Sequence, residues 1–409
     1  MAGHPFSYRD FRWLWSGSLF SYAGWWIQQA SMGWVVYEIT GSGALLGAVI
    51  GMRAIPLLAL APLAGVAADR YNRRLLLQSG QGLSAVVSLA FGIALALDAV
   101  TVATMFAFSL AMGCCSVLDR PARQSLAFEL VPREVAARAI ALNIIGNNLA
   151  RVLAPALAGY LIAWVGVAGN FVVQAGCYAT AALLVFLVAL PPSKSRARRS
   201  SAMKEMTEGL RFAVSEPAMR MLLMLGVIEF FVLVPALGTL FPIYAKDVFA
   251  IGPQGLGLMF TAVGIGGVIG GYAAGVLSRY VRAGALQALA IVGCSLAILG
   301  IAASPNFGVA FVAIVFAGAF EMMVGTSNLA ALQMLAPEHM RGRITSLSQI
   351  YPAVISLGGF YVGPLADVLG ARGASIWAAG ICIVVIVGIW RFSPTLRRLR
   401  FEATRPGTG

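Results

Sequence analysis

Apolar runs of about 20 residues or more follow one another along almost the whole sequence, and charges and Pro/Gly clusters divide them into twelve. The runs cover roughly 12–38, 43–67, 75–98, 100–118, 137–164, 168–190, 219–245, 254–278, 284–303, 306–334, 343–369 and 373–392. A helix of about 20 such residues matches the ~30 Å hydrocarbon layer of a bilayer. Only 11% of the 409 residues are charged, where a soluble domain carries about a quarter. Membrane β-barrels would show segments of about ten residues alternating in polarity, and the sequence has none. The expected fold is therefore an all-α polytopic membrane protein, with twelve transmembrane helices in two pseudo-symmetric six-helix halves around a central cavity.

Charge distribution fixes the expected topology. Net charge is +13, which by itself fits a nucleic-acid binder or a membrane protein obeying the positive-inside rule. With the N-terminus inside, 25 of the 29 basic residues fall on cytoplasmic segments and only Lys246 and Arg372 outside; Arg53 and Arg151 lie within apolar runs. This predicts an even helix count, both termini cytoplasmic, a plasma-membrane (bacterial inner membrane) location and no nucleic-acid partner. The N-terminal MAGHPFSYRDFRWLW reads as a cytoplasmic tail entering the first helix, since no small-residue cleavage site follows a short apolar core. The longest polar stretch separates the sixth and seventh runs. The predicted organisation is an N-terminal half at 1–190, a cytoplasmic linker at 191–218, a C-terminal half at 219–393 and a tail at 394–409.

The halves repeat. GVAADRYNRR from Gly65 meets GVLSRYVR from Gly275, LVPREVAAR from Leu130 meets LAPEHMRGR from Leu335, and Ala154-Pro155 meets Gly363-Pro364. The three offsets agree within a few residues and keep one order, as parallel duplication requires.

Gly65, Asp69, Arg70, Arg73 and Arg74 resemble the loop signature of the major facilitator superfamily. Asn72 stands where that family usually has a glycine, and turn propensity makes the exchange mild. In the family this loop latches helices in one of two states, so these five residues are expected to gate. The stretch Ala141, Ala150, Ala154, Pro155, Ala158 and Gly159 resembles the family's helix-5 antiporter motif with alanines for glycines; ordinary close packing is the alternative. DRPARQSLAFELVPREVAARAIALN (119–143), with Arg53 and Pro56 upstream, is similar to the enterobactin-exporter-like and macrolide-efflux-like branch. The resemblance implies a transporter of a small organic molecule, working with the lipid bilayer and with protons, functional as a monomer and needing no cofactor.

Many proton-coupled exporters of the superfamily carry an arginine within helix 4, but run four here has no charge, so coupling through such a residue is not expected. Four ionisable groups sit well inside other runs: Arg53, Arg151, Glu229 and Glu321. Charges in lipid are costly and mark function, and all four fall on helices that line the cavity in the family fold. They are the candidates for proton coupling or substrate binding, with bonding inside each half as the alternative. Gln28, Gln29, Asn147, Asn148, Asn328, Trp25 and Phe230 are candidate cavity-lining groups, with Trp26 and Phe231 as further stacking surfaces. Interhelical packing is the competing reading for each.

Other chemistries lack their residues. There is no GxxxxGK[ST] loop for ATP, and the two histidines, His4 and His339, form no HExxH. No catalytic residue or metal ligand is expected. The five cysteines lie in apolar runs without CxxC spacing and read as small packing residues. GIGGVIGG (264–271) follows no strand, so its glycines are expected to pack helices. Export is the expected direction, with an importer or uniporter of the same fold as the alternative and a membrane-embedded enzyme as the remote one.

Overall fold

A computed structural model describes residues 4–60, 72–189, 202–348 and 350–398, and among them it contains helices and no strand. In chain order the α-helices are α1 (Arg9–Thr40), α2 (Gly43–Gly51), α3 (54–60), α4 (Arg73–Ala96), α5 (Val102–Glu129) and α6 (Arg133–Phe186). They continue with α7 (Ala202–Ser215), α8 (Pro217–Ile228), α9 (Val234–Gly238), α10 (Phe241–Ile243), α11 (Gly252–Leu277) and α12 (Ala283–Ala303). The last four are α13 (Phe307–Leu335), α14 (Arg341–Ser348), α15 (Tyr351–Phe392) and α16 (Pro394–Arg398). By length and composition, eight helices among the described residues can cross a membrane.

Local chemistry sets the helix ends. Thr101 and Thr104 exchange side-chain and backbone bonds in a capping box that starts α5, and the Asn306 side chain accepts from Val309 N to start α13. These bonds satisfy amides that a helix leaves without partners. Gly41 closes α1 with φ 62°, a left-handed cap suited to a residue without Cβ. Gly166 (φ 73°) breaks α6 and Gly370 (φ 71°) breaks α15. Each long element is thus two helices joined at one glycine, and the two breaks lie 204 positions apart, in step with the sequence repeat.

Three expectations about the runs need correction. The second run is not one continuous helix, because it opens at Met52–Arg53. Pro56 has no N–H for the Met52 carbonyl, which accepts from Ile55 N instead. The fourth run is only the apolar part of α5, which continues to Glu129 and so brings Asp119 and Arg123 into the helix. The seventh run is interrupted by π-helical turns at Glu229–Leu233 and Tyr244–Val248. Pro235 follows the first and Pro242 precedes the second; prolines remove donors from the ladder, and a wider turn re-registers it.

The chain forms two compact units, residues 1–41, 52–202 and 250–261 in one and 42–51, 203–249 and 262–409 in the other. In the first, α1 and α4 pack along α6. Pro155 and Gly159 face the start of α11: a Cβ on Gly159 would strike the Pro253 carbonyl, and one on Gly257 the Pro155 carbonyl. In the second unit, Gly47 of α2 meets Gly359 and Gly363 of α15 backbone to backbone. Asp367 accepts from Gly43 N at 2.6 Å, Ala44 N at 2.9 Å and the Ser42 hydroxyl at 3.1 Å. A carboxylate there complements the positive end of α2. Gly266 and Gly270 place their Cα atoms against Val315 and Ala319 of α13, where a methyl would collide with backbone carbonyls.

Candidate functional site

In the first unit the embedded arginines converge on a tryptophan pair. Arg53, at the opening that Pro56 forces in the second run, donates to the Gln29 side chain on α1. Its guanidinium lies 5.9 Å from the Trp25 ring centroid, and that of Arg151 lies 5.4 Å from Trp26. Trp25 and Trp26 meet edge to face at 4.6 Å. Arg151 is buried, and the two indoles are half-buried. Gln28 points elsewhere: it is buried and accepts from the Tyr178 hydroxyl at 3.4 Å. Asn147 and Asn148 are half-buried on α6.

In the second unit Glu229 begins the first π turn. It is fully buried, and neither carboxylate oxygen has a hydrogen-bond donor among the described residues. Glu321, half-buried on α13, lies within electrostatic range of it. The Phe230 ring meets that of Tyr351 at 4.5 Å and the Phe231 ring that of Tyr361 at 5.2 Å, both tilted. Asn328 joins helices: it is buried, donates to the Leu222 carbonyl at 2.7 Å and accepts from the Tyr351 hydroxyl at 3.2 Å. The structure therefore groups Arg53 with Gln29, Trp25, Trp26 and Arg151, and separately Glu229 with Glu321. Gln28 and Asn328 hold helix contacts inside their own units.

Of the expected gating loop, Gly65, Asp69 and Arg70 lie outside the described residues. Arg73 pairs with Glu129 at the end of α5. Arg74 donates to the Phe186 carbonyl at the end of α6 and lies over the Phe186 ring at 5.0 Å. Asn72 has extended backbone and caps α4, its side chain accepting from Arg74 N at 3.0 Å. Its role is capping rather than the turn geometry expected from sequence.

A polar cluster missed at the sequence level lies at the same end of α5. Asp119 receives two bonds from Arg123, at 2.7 and 3.2 Å, and one from Gln81 of α4 at 2.9 Å. Arg123 also donates to Ser18 and Ser21 of α1 at 2.7 and 2.9 Å, and lies over Tyr22. The signal was present in the i, i+4 spacing of Asp119 and Arg123, but hydropathy ends the run at Leu118. Breaking a buried pair strands the other charge at about 3–5 kcal/mol. Asp119 is partly exposed, so Arg123→Met is expected to cost about 2–3 kcal/mol. Thermal unfolding of the detergent-purified protein checks this, and Asp119→Asn in the same chain should recover most of the loss.

An apolar crevice of about 800 Å³ runs between α12 and α13, past Leu296, Val312 and Phe316, and carries no titratable side chain. Among the described residues no cluster of side chains suits a metal ion, and all five cysteines are free thiols.

Membrane-length helices and the glycine seams between them define a polytopic membrane protein. The chain belongs to the transmembrane secretion effector family of the major facilitator superfamily, whose family model matches residues 2–405. It is thus a membrane transporter of small organic molecules and not an enzyme. The staphyloferrin A transporter of Staphylococcus aureus is 24% identical over 97% of this chain and 99% of that protein. The multidrug efflux pump Tap of Mycolicibacterium fortuitum is 27% identical over 90% and 91%, and the enterobactin exporter EntS of Escherichia coli 26% over 87% and 84%. Among solved structures, an inward-facing bacterial homologue of the human lysosomal transporter Spinster aligns with a TM-score of 0.80 at 14% identity, over 98% of this chain and 99% of that one. A D-xylose–proton symporter aligns at 0.69 and 17%, over 95% and 98%. These likenesses show the fold.

Proposed function

We propose that the chain is a secondary active exporter of a small organic molecule, exchanging it for protons by alternating access. In this reading twelve helices cross the bacterial inner membrane, both termini are cytoplasmic and one chain is the working unit. The observation that carries the coupling is Glu229, a carboxylate buried in a π turn without a donor among the described residues. Ionised, such a group is costly to bury, while its protonated form is far cheaper. A charge change that favours one conformation over another is what couples a proton gradient to transport. Export is supported by the relatives named for efflux of siderophores and drugs, so the cargo belongs with such compounds.

Everted membrane vesicles incubated with candidate siderophores or drugs test this reading, with accumulation in the lumen measured with and without an imposed pH gradient. Gradient-dependent accumulation is the expected result, and collapse of the gradient should remove it. Accumulation indifferent to the gradient for every transported compound would overturn proton coupling; uptake only into right-side-out vesicles would favour an importer.

A further inference from the structure

The polar stretch between the two sequence halves holds a helix, α7, which ends one residue before Pro217–Val248, a segment long and apolar enough to cross a membrane. The residue between them, Glu216, has extended backbone, so the direction of α7 is not continued into α8. With α8 entering the bilayer, the end of α7 lies at headgroup level. α7 itself cannot cross, because it has 14 residues and Lys204, Glu205, Glu208 and Arg211 are among them. Each residue advances about 100° around a helix, and α7 shows three faces in turn. Gly209 and Ala213 are buried against protein: a Cβ on Gly209 would crowd Arg343 of α14, and Ala213 packs with Leu222 of α8, Leu332 of α13 and Ile344 of α14. Glu208 pairs with Arg343 at 2.6 Å and fixes this face. The next positions round, Leu210 and Val214, are each 46% exposed. Arg211 follows, exposed and with no ion-pair partner among the described residues, as is Arg220 on the first turn of α8.

We propose that α7 is a membrane-surface helix that selects acidic glycerophospholipids. Leu210 and Val214 seat it among the first carbons of the acyl chains, and Arg211 and Arg220 hold the anionic headgroups. Protein, apolar and basic faces in that order are what a helix lying in the interface requires, with the arginine stems running along the apolar layer and their heads in the polar one. In water the same helix would leave Leu210 and Val214 uncovered. Charge selects the lipid. Residues 191–218 carry six basic side chains against three acidic ones, and one of those acids, Glu208, is already paired with Arg343. Glu216 is exposed at the corner between the arginines, and the basic excess outweighs it. Basic residues clustered beside a membrane helix attract anionic lipid. Because Glu208 ties α7 to α14, a leaflet that holds α7 also holds α14. The proposal is independent of cargo, direction and coupling, so it stands or falls apart from the exporter reading.

Amide hydrogen exchange of the full chain tests it, in nanodiscs of phosphatidylcholine alone and of phosphatidylcholine mixed equally with phosphatidylglycerol. Each arginine at an anionic surface contributes about a factor of five, so peptides covering 202–215 should exchange at least about fivefold more slowly in the acidic discs. Peptides from α12 serve as the control and should exchange alike in both. Raising the salt concentration should remove the lipid dependence. Arg211→Gln should reduce it by about the factor for one arginine, Arg211→Gln with Arg220→Gln should reduce it further, and Arg211→Lys should keep it. Leu210→Gln with Val214→Gln should speed exchange of α7 in both lipids. Thermal unfolding reports whether each variant is folded, and the salt series tests the wild-type chain without any substitution. Equal exchange in the two discs, a difference indifferent to salt, or a difference kept in the folded double-arginine variant would overturn the proposal. Unchanged exchange in the folded Leu210 and Val214 double variant would also overturn it. Discs holding one copy are compared with discs holding two: protection that needs the second copy, whatever the lipid, would give this face to a dimer and overturn the lipid site.

Discussion

Exchanging Glu229 for glutamine is expected to abolish the response of transport to a pH gradient, reducing gradient-driven accumulation in everted vesicles to the level without a gradient. The amide has the shape of the acid but cannot carry a proton. Its burial should cost less than that of an ionised carboxylate, so the variant is expected to remain folded with equal or higher unfolding temperature. That combination separates a coupling role from a structural one. Glu321→Gln is the companion variant, because Glu321 lies within electrostatic range of Glu229. If both variants kept full gradient dependence, the coupling assignment would fail and the proton path would have to be sought elsewhere.

A second large effect is expected at Gly270. A Cβ there meets the carbonyl and Cα of Ala319, and one at Gly266 meets the Val315 carbonyl. The obstacle in both cases is backbone, so no side-chain rotation relieves it. Gly270→Val should force α11 and α13 apart. The cost exceeds the about 1–3 kcal/mol of ordinary overpacking, because the close approach of small residues is itself what holds membrane helices together. The expected outcome is loss of the monodisperse folded protein on size exclusion, or an unfolding temperature at least 10 °C lower. Gly275→Ala, on the same helix with open space around it, should behave as wild type. A Gly270→Val protein of normal stability would refute the seam.

Much of this was legible in the sequence because a bilayer imposes a simple rule. Length and hydropathy alone mark the membrane helices, and the glycines of 264–271 announced a packing face that α13 occupies. What sequence could not reach depended on departures from regular helix. Arg53 looks like a charge inside a continuous apolar helix; only the missing amide of Pro56 opens the chain there and turns the side chain toward Gln29 and Trp25. Arg123 was hidden for the opposite reason, since its helix outlasts the apolar run by about three turns and the polar end is buried against α1 and α4. Gln28 and Asn328 were indistinguishable by type from Gln29, yet the first two bind neighbouring helices and the third positions Arg53. Side-chain direction around a helix decides such cases, and a run that is apolar on all sides carries no periodic signal of direction.

The contacts of α2 bear on the order in which the molecule is built. This segment is among the first to leave the ribosome, yet its glycine face is filled by Gly359 and Gly363, and its leading amides are capped by Asp367. Those residues are more than 300 positions downstream. Chains fold progressively from the N-terminus as they are made, so α2 is synthesised early and seated late. Its small residues wait in the membrane through most of translation, and the second compact unit closes only when nearly the entire chain has been delivered.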